Sequence, residues 1–182
     1  MPVLRPRAKL LIALGALACV GLAVACAVFG LERRRTSRRE AFVASVLEEA
    51  RSTRSCSFEP LSINVCSANV RTVLQLLAAY GEKNVIIDPS IRGEPLVDID
   101  GVPLSVALDA IALDQNAVVR TSSEDLLRID VAPVALDGPV LDELSAKLEA
   151  DRPLTMRARS LIAAIALHRG HELPEGLLSS ER

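Results

Sequence analysis

The only two imidazoles in the chain are His168 and His171. A His-x-x-His pair near a helix end has the spacing of metal ligands, but no cysteine or carboxylate cluster accompanies it in sequence. Asp98 and Asp100 stand two positions apart, which on a strand puts both carboxylates on one face. Paired carboxylates can share general acid and base work, whereas a solvated strand face accounts for them without chemistry. Serine is plentiful, yet residues 58–132 contain no histidine to activate one, and the chain has no G-x-S-x-G elbow, phosphate-binding loop or dinucleotide fingerprint. These residues predict no enzyme, with no catalytic, cofactor-binding or metal-binding residue.

The four cysteines divide into two pairs. Cys19 and Cys26 lie in an apolar run and read as small helix residues. Cys56 and Cys66 can form a disulfide in an oxidising compartment, provided the chain bends between them, for instance at Pro60. Ala23-Val24-Ala25-Cys26 also resembles a lipoprotein cleavage box, with Ala where Leu is usual, in which Cys26 becomes the lipidated first residue.

Elements must position these groups, and the composition bounds them. The 182 residues are 50% hydrophobic and 2% aromatic, with no Trp. That apolar content excludes a disordered chain, and so few aromatics argue against a single-strand nucleic-acid binder. Leu10 to Leu31 is an uncharged run of 22 residues, against the roughly 20 that a membrane-crossing helix requires. Arg5, Arg7 and Lys9 precede it, and Arg33, Arg34, Arg35, Arg38 and Arg39 follow. From Ser55 onward eleven basic residues face nineteen acidic ones, a net of −8. The front is basic and apolar and the body acidic, so membrane contact is expected at the front and nucleic acid is not expected as a partner. An uncleaved anchor and a lipoprotein cut before Cys26 are both open. The arginine count taken literally favours a cytoplasmic body.

The expected divisions are a cytoplasmic N-terminus at 1–9, a transmembrane anchor at 10–31, a charged juxtamembrane connector at 32–57, a folded core at 58–132 and a partly disordered helical tail at 133–182. In the connector, Ala41-Phe42-Val43 and Val46-Leu47 have helical spacing. In the core, Leu61, Ile63 and Val65 alternate as in a strand. After a candidate cap at Ser67, Val70, Val73, Leu74, Leu77 and Ala78 form one helical stripe that stops at Gly81. Asn84–Asp88 and Leu96–Asp100 read as strands. Pro103 opens a second helix with a stripe at Leu104, Ala107, Leu108, Ile111 and Ala112, and Ala117–Arg120 and Leu126–Val131 are the last strands. The order β-α-β-β-α-β-β places two helices on small sheets, an α+β domain. In the tail, Leu141, Leu144 and Leu148, then Leu154 to His168, suggest two short helices that either pack on the domain or form a partner-binding element.

Leu61-Ser62-Ile63-Asn64-Val65, Asn69–Ala78, Asn84–Gly93, Asp100–Ile111 and Leu127-Arg128-Ile129, taken in order, resemble the short N-terminal (N0-like) domain shared by secretins and TonB-dependent receptors. The resemblance covers 58–132. It implies a periplasmic domain that catalyses nothing and makes protein contacts, here stand-alone and membrane-anchored, since these residues include no pore or barrel. It therefore implies a single-pass protein of the bacterial inner membrane with its C-terminal body in the periplasm, opposite to the literal arginine count. The implied role is an adapter in an envelope assembly such as a type II secretion or type IV pilus secretin system, contacting a secretin or another component and capable of forming a ring-like homo-oligomer. The alternatives are a TonB-linked signalling component and a lipoprotein, lipidated at Cys26, that escorts a secretin. Contacts are expected at an exposed sheet edge and one helix face, with Arg71, Gln75, Arg92, Asp98, Asp100 and Arg128 facing outward.

Overall fold

A computed structural model of the protein describes residues 6–51, 60–65, 68–95, 97–171 and 177, with side chains described from Ala25 onward except that of Val65. The chain divides into two units, Met1–Glu40 and Ala41–Arg182, and helix α1 (Pro6–Arg51) contributes to both. Among the described residues no helix is long and apolar enough to cross a membrane. Most of the uncharged run Leu10–Leu31 precedes the described side chains.

In the first unit, all side chains from Ala25 to Arg38 are exposed. In the second, Phe42, Val43, Val46 and Ala50 of α1 form a buried stripe within the main core. The apolar residues at helical spacing in the connector draw residues 41–51 into the folded unit.

The folded unit holds five strands in two sheets. β1 (Pro60–Val65) pairs antiparallel with β3 (Val97–Pro103). β2 (Asn84–Ile87) pairs parallel with β5 (Leu126–Val131), and β4 (Ala117–Ser123) pairs antiparallel with β5, giving the order β2-β5-β4. The register of β1 shifts between Leu61 and Ile63. Nearby Gly101 takes φ +65°, a left-handed conformation that glycine adopts without strain.

α2 (Val70–Tyr80) buries the expected stripe Val70, Val73, Leu74, Leu77 and Ala78. Its cap is Asn69, whose side-chain oxygen accepts from the Arg71 N–H at 2.9 Å; the expected cap Ser67 lies outside the described residues. Asparagine does the same work as serine there, satisfying an N–H that has no partner within the helix. α3 (Leu104–Asp114) is buried nearly all round, since Val106, Ala110 and Leu113 are apolar as well as the expected stripe. A helix with two apolar faces needs cover on both. β3, β4 and α2 contact α3, and α5 (Met156–His168) packs along it. α4 (Gly138–Ala150) buries Val140, Leu141, Leu144 and Leu148 and packs on α5. The tail helices are therefore part of the core. Asp137 and Thr155 cap them, accepting from Val140 and Ala158 N–H groups at 3.2 and 3.1 Å.

Candidate protein-contact surface

A sheet edge can accept another strand only where its outward backbone groups are uncovered. On the outer edge of β4 two of them are engaged by helix side chains. Glu49 Oε1, on α1, accepts from the Thr121 N–H at 2.9 Å, and Arg157 Nη2, on α5, donates to the Val119 carbonyl at 2.8 Å. Beside them Arg120 Nη2 donates to Ser45 Oγ at 3.1 Å.

At the other end of the sheet, β2 has no strand on the side away from β5 among the described residues. The Asn84 N–H donates to the Asp125 carbonyl at 2.8 Å and the Asp88 N–H to the Ile129 carbonyl at 2.9 Å. Residues alternate sides along a strand, so Val85 and Ile87 turn their N–H and C=O groups to the open side. Arg71 reaches this end of β2, with Nη1 on the Asp88 carbonyl at 2.7 Å and Nη2 on the Ile87 carbonyl at 3.2 Å. Arg71 is thus half-buried and engaged with β2, not a free outward contact as expected.

Ile86, 54% exposed, stands on the outer face of the sheet opposite Arg128 of β5. Arg128 is exposed as expected, and its Nε donates to Asp130 Oδ1 at 2.8 Å. The hydrogen bond and charge of Asp130 raise the Arg128 pKa above its ordinary value, with Asp88 adding to the effect. The Asp88 carboxyl is held below its usual value, first by the Ser90 hydroxyl, then by the Ser90 N–H, with Arg128 and Arg71 contributing.

On the smaller sheet, Val97 and Ile99 face the core and Asp98 and Asp100 face outward. Each carboxylate has its own donor on β1: Asn64 Nδ2 reaches Asp98 Oδ1 at 3.1 Å, and Ser62 Oγ donates to Asp100 Oδ1. The aspartates form a cross-strand polar ladder. Gln75, on α2, and Arg92, between β2 and β3, are exposed. A shallow pocket of about 200 Å³ between β3, α3 and α5 brings Asp98 near Asp114 and His168, over Ile99, Ile111 and Leu167. His171, exposed past the end of α5, donates its backbone N–H to the Ala166 carbonyl at 3.0 Å. Among the described residues no group of three His, Cys, Asp or Glu side chains is placed to hold a metal. Cys56 and Cys66 lie outside the described residues, while Cys26 is an exposed free thiol.

No family model and no curated protein matches this chain. Among solved structures, it is similar to the N0 domain of the type II secretin from enterotoxigenic Escherichia coli, at 13% identity and a TM-score of 0.35, over 40% of this chain and 95% of that one. A likeness of that size carries no argument about this chain.

The residues that close the β4 edge escape a reading of the sequence. Asp109 and Arg157 are buried, with Arg157 Nη2 donating to Asp109 Oδ1 at 2.8 Å, Nη1 donating to Asp109 Oδ2, and Ser160 Oγ donating to Asp109 Oδ2 at 3.1 Å. The one available signal is the position of Asp109 inside the apolar run Leu104–Leu113. A charge there either interrupts the helix face or meets a buried partner.

Proposed function

We propose that the chain is a non-enzymatic adapter, anchored in the bacterial inner membrane through Leu10–Leu31, whose periplasmic body makes protein contacts in an envelope assembly of the type II secretion or type IV pilus secretin kind. The resemblance at 58–132 and the α+β core support this reading. The observation that carries it is the asymmetry of the three-stranded sheet: helix side chains engage the Thr121 N–H and the Val119 carbonyl on the β4 edge, whereas on β2 Arg71 takes the Ile87 carbonyl and, among the described residues, the outward groups of Val85 and the Ile87 N–H stand beside an exposed Ile86. Such an edge suits an extended partner segment, because main-chain hydrogen bonds supply affinity and neighbouring side chains supply selectivity.

Val85→Pro tests the reading. Proline removes an outward N–H from β2 without removing a ladder bond to β5, and it blocks strand addition. The full chain, crosslinked in cells and purified, is expected to carry a secretin or pilus-assembly protein identified by mass spectrometry. Val85→Pro should lose it, and Val85→Thr should keep it. Equal capture by both variants overturns the β2 edge as the contact, and failure of the wild type to capture any envelope component overturns the adapter reading.

A further inference from the structure

Most described arginines of the second unit engage a partner. In the second unit Arg51, Arg128 and Arg169 each pair with an aspartate at the surface, Arg157 pairs with Asp109 in the core, and Arg71 donates to backbone carbonyls. In the first, Arg33, Arg34, Arg35 and Arg38 are exposed, and among the described residues no carboxylate pairs with them. Four guanidinium groups within two turns of one helix, with Glu32 the one carboxylate among the residues from 25 to 38, repel each other and attract anions.

Their arrangement indicates which anions. Successive helical residues point about 100° apart, so Arg33, Arg34 and Arg35 project on three sides of α1 and Arg38 adds to the ring. Ahead of them, beyond Glu32, the residues Ala25–Leu31 are exposed and apolar all round, with Val28 at 51%, Phe29 at 73% and Leu31 at 60% exposure. Apolar and basic residues are thus separated along the helix axis. A helix lying flat on a membrane separates them by face; axial separation suits a helix that enters the bilayer end on. At 1.5 Å per residue the arginines span about 8 Å, comparable to the roughly 5–8 Å of headgroup layer on each side of a bilayer's apolar core. Guanidinium groups fit phosphate with paired hydrogen bonds.

We infer that Arg33, Arg34, Arg35 and Arg38 form a collar that binds the headgroups of anionic phospholipids where α1 leaves the bilayer. This inference rests on the membrane-anchor reading and adds to it a lipid class and the residues that select it. A basic residue at an anionic surface strengthens binding by about fivefold, so four should supply a preference of up to several hundredfold at low salt, shrinking as salt screens it.

The test uses the full chain with phosphatidylcholine vesicles, pure or containing phosphatidylglycerol, in a flotation assay across salt concentrations. Native mass spectrometry of lipids retained from a mixed detergent extract accompanies it. The wild type is expected to float with both vesicles in high salt and to retain phosphatidylglycerol preferentially. The fourfold Arg33→Gln, Arg34→Gln, Arg35→Gln, Arg38→Gln variant should still float but lose the preference, and Arg152→Gln should keep both properties. An unchanged preference in the fourfold variant overturns the collar while leaving the anchor intact. Flotation only with anionic vesicles, abolished by salt, overturns the anchor and keeps the collar as a surface contact. Tighter binding to duplex DNA than to anionic vesicles overturns the lipid assignment.

Discussion

Arg157 of α5 clasps Asp109 of α3 through both Nη groups, and Nη2 also donates to the Val119 carbonyl of β4 at 2.8 Å. One side chain thereby joins the tail helix, the central helix and a sheet edge within the core. Removing one partner leaves a buried charge uncompensated. Arg157→Ala and Asp109→Ala are each expected to destabilise the protein by about 3–5 kcal/mol. The double variant Asp109→Leu, Arg157→Met should lose clearly less than the sum of the two single changes. Urea unfolding of the detergent-solubilised full chain, followed by circular dichroism, measures this. Additive losses would mean that the two residues act independently.

Glu49 makes a smaller contribution at the same edge. Its carboxylate accepts from the Thr121 N–H, so Glu49→Ala should cost about 1–2 kcal/mol and speed hydrogen exchange at the Thr121 amide. Unchanged exchange there would show that Glu49 does not close the edge.

Asp88 sets an acid limit for the turn after β2. Its carboxyl is held below the ordinary aspartate value of 3.8, chiefly by Ser90. A carboxyl with a depressed folded-state pKa contributes stability that is complete above its unfolded value and is lost as pH falls through the folded one. The contribution of Asp88 should therefore persist at pH 4 and above and fade below about 3.8. Carbon-13 NMR titration should give a midpoint under 3.8, and Ser90→Ala should move it up. A midpoint unaffected by Ser90→Ala would contradict the assignment.

Topology is decided by fusions. Alkaline phosphatase at the C-terminus should be active, and a cytoplasmically maturing fluorescent protein at the same place dark, if the body is periplasmic. The reverse result would follow the arginine count. Intact mass distinguishes the anchor from a lipoprotein, since lipidation at Cys26 removes residues 1–25.

The order of strands and helices within 58–132 is legible in the sequence because each element has its own short-range period, such as the Val70–Ala78 stripe. What draws the rest of the chain onto that core is not, because those contacts join distant residues. Asp109 and Arg157 are 48 positions apart, and Glu49 and Thr121 are 72 apart. Arg71 reads as a surface charge at a helix start, but its length lets the guanidinium reach the carbonyls of β2. Asp98, Asp100 and Arg128 face outward as their strand positions imply, while their partners Asn64, Ser62 and Asp130 depend on register and local geometry.

On the proposed reading, partners meet the chain at β2 and not at β4. A photo-crosslinking amino acid placed at Ile86 in the full chain, compared with one at the exposed Ser123 of β4, tests it most directly. The account predicts a discrete adduct with an envelope-assembly protein from position 86 and none from position 123. Adducts from position 123 alone, or from neither position, would contradict it.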